Sequence, residues 1–279
     1  MLIKCWGSRG SIPVSGKNYI KYGGDTTCME IRTRSNDIII IDAGTGIRRL
    51  GNQLIEEKKY HYNIIFTHAH WDHLIGFPFF KPLFIKETEI DIYRCPFPKQ
   101  YAEKMITKLL EPPNFPKKYN ELNATIRYID GCPNQFEIGS VTVIPIRLSH
   151  PNGGCGYKFI EDGKTFVFLT DNELGFVHSG GLERSAYLEF SVNADLLIHD
   201  AEYTPLEYKK QIEWGHSTYI DALDLAHEAG VKKLGLFHIN QERTDSEMDQ
   251  IEKDCQQISK DQGYNMDCFA VAWDMIFEV

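Results

Sequence analysis

The chain has 279 residues, 42% hydrophobic and 25% charged, with a formal net charge of −9. That composition suits one large or two small globular domains, and its acidity excludes a general affinity for nucleic-acid backbone based on global charge. The longest purely aliphatic run is Ile38–Ile41, far short of the ~20 apolar residues of a membrane span.

The seven cysteines are scattered with no CxxC pair, which predicts free thiols in a reducing, cytoplasmic setting. The opening MLIKCWGSRG has no long apolar stretch, so no signal peptide is expected.

In chain order, runs rich in β-branched and aromatic residues predict strands over 2–6, 29–33, 38–42, 63–66, 89–93, 124–129, 141–149, 156–160 and 165–170. The EDGK at 161–164 predicts a hairpin turn, because Asp-Gly supplies positive φ values. Helices are expected over 47–58, after GTG, and over 99–111, stopping at Pro112-Pro113. Two more are expected: 218–229, with an apolar stripe of Ile220, Leu223, Ala226 and Ala229, and 246–261, ending at Gly263. The terminal CFAVAWDMIFEV reads as a last strand pair.

No repeat or low-complexity linker interrupts the chain, so a single domain over 1–279 is expected. Within it, 77–122 is rich in Pro and Phe around a helix and reads as an inserted lid. From Arg94 to Arg127 basic residues outnumber acidic ones. That bias describes either a solvated helix face or a positive wall beside an anionic ligand.

The segment NIIFTHAHWDH, 63–73, places three histidines and an aspartate within six residues at the end of an apolar run. Imidazoles with a carboxylate are a Zn²⁺ ligand set. On an extended loop His68 and His70 point one way, while Asp72 and His73 face a neighbouring point, so the spacing serves two ions. Four ligands cannot close two sites. His150, Asp171 and His238 each end another strand-like run, where a layered α/β fold collects its active-site loops.

H-x-H-x-D-H followed by a distant His, Asp and His resembles the dinuclear metallohydrolases of the metallo-β-lactamase fold. The resemblance implies an α/β, four-layer αββα sandwich and two divalent ions, Zn²⁺ foremost, with Mn²⁺ or Fe tolerated. It assigns His68, His70 and His150 to one ion, Asp72, His73 and His238 to the other, and Asp171 to the bridge. Asp42, in IIIIDAGTG, is then a carboxylate that orients ligands.

LLIHDAEY (196–203) and WGHST (214–218) resemble the phosphodiesterase branch that contains ribonuclease Z. There a carboxylate holds a histidine that protonates the leaving group. Asp200 and His216 match those positions, with Asp where ribonuclease Z has Glu, and they join Asp72 as expected catalytic residues. The alternative for His216 is a neighbour of a helix cap formed by Ser217 or Thr218. His199 reads as structural, and His61, His178 and His227 carry no pattern.

In ribonuclease Z a long tRNA-gripping arm lies between the matches to His150 and Asp171. Here PNGGCGYKFIEDGKTFVFLT separates them, so no long nucleic acid is expected as partner. CWGSRGSIPVSG and KYGGDTTCMEIR, with GFPFFKPLF, resemble a bacterial cyclic-nucleotide phosphodiesterase-like branch, which has Asn where this chain has Asp25. That would bring Ser8, Arg9 or Thr26 to the rim of the site, Arg9 foremost. Phe77, Phe79 and Phe80 either stack on a base or pack the lid.

The resulting expectation is a phosphodiesterase that opens a small cyclic nucleotide, a 3′,5′-cyclic mononucleotide or related cyclic diester, by hydroxide attack on phosphorus. The rivals are a thioesterase or glyoxalase-type hydrolase, a tRNA 3′-processing endonuclease, and a non-catalytic sensor. Homodimers are common among such relatives, but the sequence carries no interface signature.

Overall fold

Short apolar runs bounded by turn residues assort into two sheets in the computed structural model, which describes residues 1–93, 99–129 and 133–279. The first half supplies β1 (Leu2–Gly7), β2 (Cys28–Arg32), β3 (Ile38–Ile41), α1 (Ile47–Glu56), β4 (His61–Ile65), β5 (Glu89–Tyr93), α2 (Lys99–Leu109) and β6 (Thr125–Ile129). The second half begins with β7 (Phe136–Ile138), β8 (Val141–Arg147), β9 (Cys155–Glu161), β10 (Lys164–Leu169), α3 (Arg184–Ser191) and β11 (Leu196–Asp200). It closes with α4 (Pro205–Tyr208), α5 (Tyr219–Glu228), β12 (Lys233–Phe237), α6 (Asp245–Gln262), β13 (Asp267–Ala270) and β14 (Ile276–Glu278).

The sheets run β14-β1-β2-β3-β4-β5-β6 and β13-β12-β11-β10-β9-β8-β7. In each, one end is antiparallel and the other parallel, the parallel sets being β3 to β6 and β10 to β13.

The run Ile38–Ile41 shows why the layers form. Ile39 and Ile41 join the core between the sheets, while Ile38 and Ile40 face α1, as the two-residue period of a strand requires. Phe166 and Phe168 face inward in the same way, and Val167 and Leu169 face the α3 and α5 side. Strands buried on both faces read as unbroken apolar runs, and the result is the expected αββα sandwich. Each such side chain contributes roughly 1.5–3 kcal/mol by burial.

Local chemistry closes the elements. Asp162 and Gly163 take φ of 50° and 74° between β9 and β10, the two-residue hairpin turn expected of Asp-Gly. Thr218 accepts the Asp221 N–H at the head of α5, and Gly263 ends α6 in left-handed conformation.

Two features differ from expectation. The terminal strands are not a hairpin: β13 lies parallel to β12 in one sheet, and β14 pairs with β1 in the other. The turn at 271–275 therefore crosses between sheets, because Phe277 fills the inter-sheet core while β13 completes the parallel edge. The region 77–122 is not wholly an insertion either, since β5 pairs with β4 and β6 inside the first sheet. Arg94 to Pro98 lie outside the described residues. No helix among the described residues is long and apolar enough to cross a membrane.

Candidate active site

Parallel strands in a sheet end along one edge, and ligands gather beyond their carboxyl ends. Here Asp42 follows β3, the 68–73 segment follows β4, Asp171 follows β10, Asp200 ends β11 and His238 follows β12; His150 comes in from the antiparallel β8. Three of these residues have left-handed backbone, with φ of 63° at Asp42, 54° at Asp171 and 57° at His238. Such conformations cost non-glycine residues on the order of 1–3 kcal/mol and persist where surrounding structure imposes them.

Two ligand sets result. In each of His68, His70, His150, Asp171 and Asp72, His73, Asp171, His238, one ligand atom per residue lies within 4.8 Å of the others. Asp171 is shared. Its Oδ2 lies 3.2 Å from His73 Nε2, and its Oδ1 lies 3.6 Å from His68 Nε2, 3.7 Å from His150 Nε2 and 3.2 Å from His238 Nε2. Asp72 Oδ2 lies 3.2 Å from His73 Nε2 and 3.1 Å from His238 Nε2, and also accepts the Ser11 N–H.

The far side of four of the five rings is committed, while His70 Nδ1 faces His150 Nε2 at 3.0 Å. His73 Nδ1 donates to Asp42 at 2.8 Å, His238 Nδ1 to Glu202 at 2.9 Å and His150 Nδ1 to the Gly215 carbonyl at 2.9 Å. His68 Nδ1 reaches Thr67 Oγ1 at 3.1 Å, and that hydroxyl donates to Asp42 at 2.7 Å. These contacts turn the Nε2 atoms inward, the arrangement that orients metal-ligating histidines. His68 Nε2 and His73 Nε2 are buried without a hydrogen-bond partner. Unpaired ring nitrogens facing carboxylates fit a pair of divalent cations.

Charge divides the cluster: against the downward pull of burial, Asp72 and Asp171 hold His73, and Asp171, Asp72 and Glu202 hold His238, well above the ordinary imidazole value, so bound cations must displace protons from these two rings. Burial pushes the Asp171 carboxyl up, but His238, His73 and His68 outweigh it and hold Asp171 well below the usual carboxylate range. Burial holds His150 down to about 3 and His68 well below its ordinary value, so both stay neutral, as ligation requires.

Beside the ligands, His216 Nδ1 donates to Asp200 at 2.7 Å, and the His216 ring stacks on His238 at 4.5 Å. Burial alone would lower the His216 pKa, but Glu202 and Asp200 raise it to about 9. Thr218, the neighbour once removed, caps α5, so the cap and the His216–Asp200 pair coexist. His199 is buried, with Nδ1 on the Asp200 carbonyl at 2.7 Å, a structural place.

Several expected residues sit elsewhere. Arg9 is only 1% exposed, and its guanidinium donates to the carbonyls of Gly23, Asn240 and Arg243. It ties loops together and offers nothing to a ligand at the rim. Ser8 and Thr26 are buried too. Asp25 faces α1, paired with Arg49 at 2.9 Å and accepting from Thr45, which spares the site its charge. Phe80 is buried edge-on to Tyr62, and Phe77 is buried in the same outer core, so neither can stack on a base. Phe79 is 55% exposed.

Two further acids belong to the site. Glu202 supports His238 and accepts from Asn240 Nδ2 at 2.8 Å. Glu173 is buried and accepts from Tyr208, His178 and the N–H groups of Glu213 and Gly215. Each lies two residues beyond an aspartate already singled out, the same-side spacing of extended chain. His178, which carried no pattern, belongs to this network.

Helix-flanked twin sheets with a shared carboxylate between two histidine-rich ligand sets define a dinuclear metallohydrolase of the metallo-β-lactamase fold. The chain belongs to the β-lactamase superfamily: residues 38–239 match the profile of the "Beta-lactamase superfamily domain". It is 26% identical to the ribonuclease Z of Thermococcus kodakarensis over 246 residues, covering 72% of this chain and 74% of that one. It is 27% identical to the ribonuclease Z of Archaeoglobus fulgidus over 285 residues, covering 84% and 85%.

Among solved structures, the metallo-β-lactamase fold protein YhfI of Bacillus subtilis superposes with a TM-score of 0.69 at 17% identity, covering 100% of this chain and 99% of that one. A diphosphatase of the PhnP family gives a TM-score of 0.68 at 16% identity, covering 100% and 97%. These two likenesses carry the fold. Together with the family, the ligand sets identify a hydrolase that uses divalent metal ions.

Proposed function

We propose that the protein is a dinuclear phosphodiesterase acting on a small nucleotide diester, with Zn²⁺ as the ion its nitrogen-rich ligand sets favour. The observation that carries this reading is the His216–Asp200 pair, 2.7 Å apart, set against the ligand His238. When bound, two divalent ions supply Lewis-acid polarisation of a phosphoryl oxygen and acidify water.

The chain's own residues do the rest. Asp171 and Asp72 fix the ligand nitrogens around two points, and Asp42 and Glu202 hold the rings of His73 and His238 in the ligating tautomer. Asp200 occupies His216 Nδ1, leaving Nε2 to give its proton to a departing alkoxide. A thioester hydrolase has no need of such an acid, because a thiolate leaves unaided. Between His150 and Asp171 the chain has the β9–β10 hairpin with a two-residue turn, which favours a small substrate over tRNA.

The ribonuclease Z relatives favour a second reading, tRNA 3′ processing. Metal-loaded protein assayed on cyclic mononucleotides, dinucleotides, a precursor tRNA and a glutathione thioester separates the readings. Turnover of nucleotide diesters above the other substrates is expected. Faster cleavage of the precursor tRNA, or of the thioester, overturns the assignment.

A further inference from the structure

The basic stretch between Arg94 and Arg127 divides by role. Arg127 is spent on Asp91 and Glu89, at 2.6 and 2.8 Å. Lys117 lies over the Phe84 ring. Lys104 and Lys108 are different: both are exposed, and neither has an ion-pair partner among the described residues. They stand one turn apart on α2, about 6 Å along its axis, and line the same cavity of about 620 Å³.

Apart from Asn114, the remaining wall of that cavity is apolar and aromatic. Trp71 and Phe79 line it at 77% and 55% exposure. Phe115 meets Phe79 edge to face at 5.6 Å, and Met105 joins them from α2. Ala69 and Trp71, which also line the cavity, stand on either side of the ligand His70. The cavity therefore borders the 68–73 segment that carries the ligands. Apolar rings beside free cations and a phosphodiester site match the two halves of a nucleotide: a base that stacks and a phosphate that attracts lysine.

We propose that this cavity holds the nucleoside next to the scissile phosphate, its base against Trp71, Phe79 and Phe115, while Lys104 and Lys108 hold a second phosphate that is not cut. The inference rests on the phosphodiesterase reading and narrows it. A 3′,5′-cyclic mononucleotide has one phosphate, which the ligand cluster would take, leaving both lysines idle. A dinucleotide, linear or cyclic, has a second phosphate for them. In a chain of net charge −9, two lysines without ion-pair partners among the described residues give the cavity a local attraction for an anion.

The test compares four adenine diesters with the metal-loaded, full-length protein: ApA, 5′-phosphorylated pApA, cyclic diadenylate and cyclic AMP. KM for pApA and cyclic diadenylate is expected about tenfold or more below that for ApA and cyclic AMP. In the double variant Lys104→Ala/Lys108→Ala the ratio of KM for ApA to KM for pApA falls to within about twofold of unity. Phe79→Ala raises KM for ApA and pApA alike, because both stack a base.

A second readout needs no catalysis. Calorimetric binding of adenosine 3′,5′-bisphosphate to metal-free protein should weaken about tenfold in the double variant and decline with salt. Equal KM for ApA and pApA in the wild type overturns the second-phosphate site and leaves the phosphodiesterase reading standing. A longer oligoadenylate binding about tenfold tighter than pApA overturns the dinucleotide and makes the second phosphate part of an RNA chain. If no diester is hydrolysed the phosphodiesterase reading falls, and the bisphosphate titration then decides the cavity by itself, absence of binding overturning it.

Discussion

Glu173 accepts the backbone N–H of Gly215 at 2.7 Å. The carbonyl of the same glycine takes His150 Nδ1 at 2.9 Å, so one buried carboxylate suspends the loop that steers a ligand and carries His216. Gly215 is required there: its φ is +93°, and a Cβ would stand 2.2 Å from His150 Nδ1. Glu173→Gln keeps the shape but turns an amide NH₂ toward groups that are themselves donors. Unpaired buried polar groups cost about 1–3 kcal/mol each, so a loss of roughly 2–4 kcal/mol and a Tm lower by several degrees are expected. Turnover of unactivated diesters should fall with metal content unchanged. Wild-type Tm and turnover in this variant would show that the loop is held by something else.

Replacing His216 with Ala tests the acid. Because its Nδ1 is committed to Asp200 and no ligand atom is lost, metal content should be retained. Hydrolysis of diesters with alkyl leaving groups should slow about 10²–10⁴-fold. Nitrophenyl diesters, whose leaving group scarcely needs a proton, should slow far less. Equal losses on both substrates would remove His216 from proton transfer.

The pH profile carries a related expectation. Against the downward pull of burial, Glu202 and Asp200 raise His216 to about 9. The protonated acid therefore persists through neutral pH and is lost as pH rises through that value, giving an alkaline limb in kcat. Asp200→Asn removes one of the supporting carboxylates, so the limb should move to lower pH for an alkyl diester. A limb that stays in place, measured by stopped assays across pH 6–10, would assign it to another group.

The ligand cluster was legible because its residue types are unusual and its members end apolar runs: 68–73 after β4, His150 after β8, Asp171 after β10, His238 after β12. What stayed hidden depended on contacts distant in sequence. Arg9 sits among glycines that suggested a ligand-binding loop, yet its guanidinium is consumed by carbonyls at Gly23, Asn240 and Arg243. Glu173 looks unremarkable until Tyr208, Glu213 and Gly215 fold over it. Phe79 and Phe80 are adjacent in sequence but leave a 3₁₀ turn in opposite senses, one exposed and one buried, and no periodicity in so short a run separates them. The final strands misled because alternation reports a strand but not the sheet it joins, and β14 left its neighbour for β1.

Removing the shared carboxylate tests the dinuclear site itself. Asp171 has φ of 54°, a conformation asparagine tolerates better than most residues, so Asp171→Asn changes the ligand while sparing the backbone. Its Oδ1 faces His68, His150 and His238 and its Oδ2 faces His73, so the one carboxylate touches both sets, and an amide cannot serve both with charge. Bound metal, measured by elemental analysis after dialysis, is expected to fall from two ions per chain to one or none. A ligand held only by the folded state stabilises it by about 4 kcal/mol at a thousandfold excess over Kd, so EDTA should lower the Tm of the wild type and leave that of the variant nearly unmoved. Asp42→Asn is the contrast: it touches His73 only from behind, and should retain both ions with affinity reduced about 10–100-fold. Two tightly held ions in Asp171→Asn would mean that the cluster does not bridge its cations through this residue.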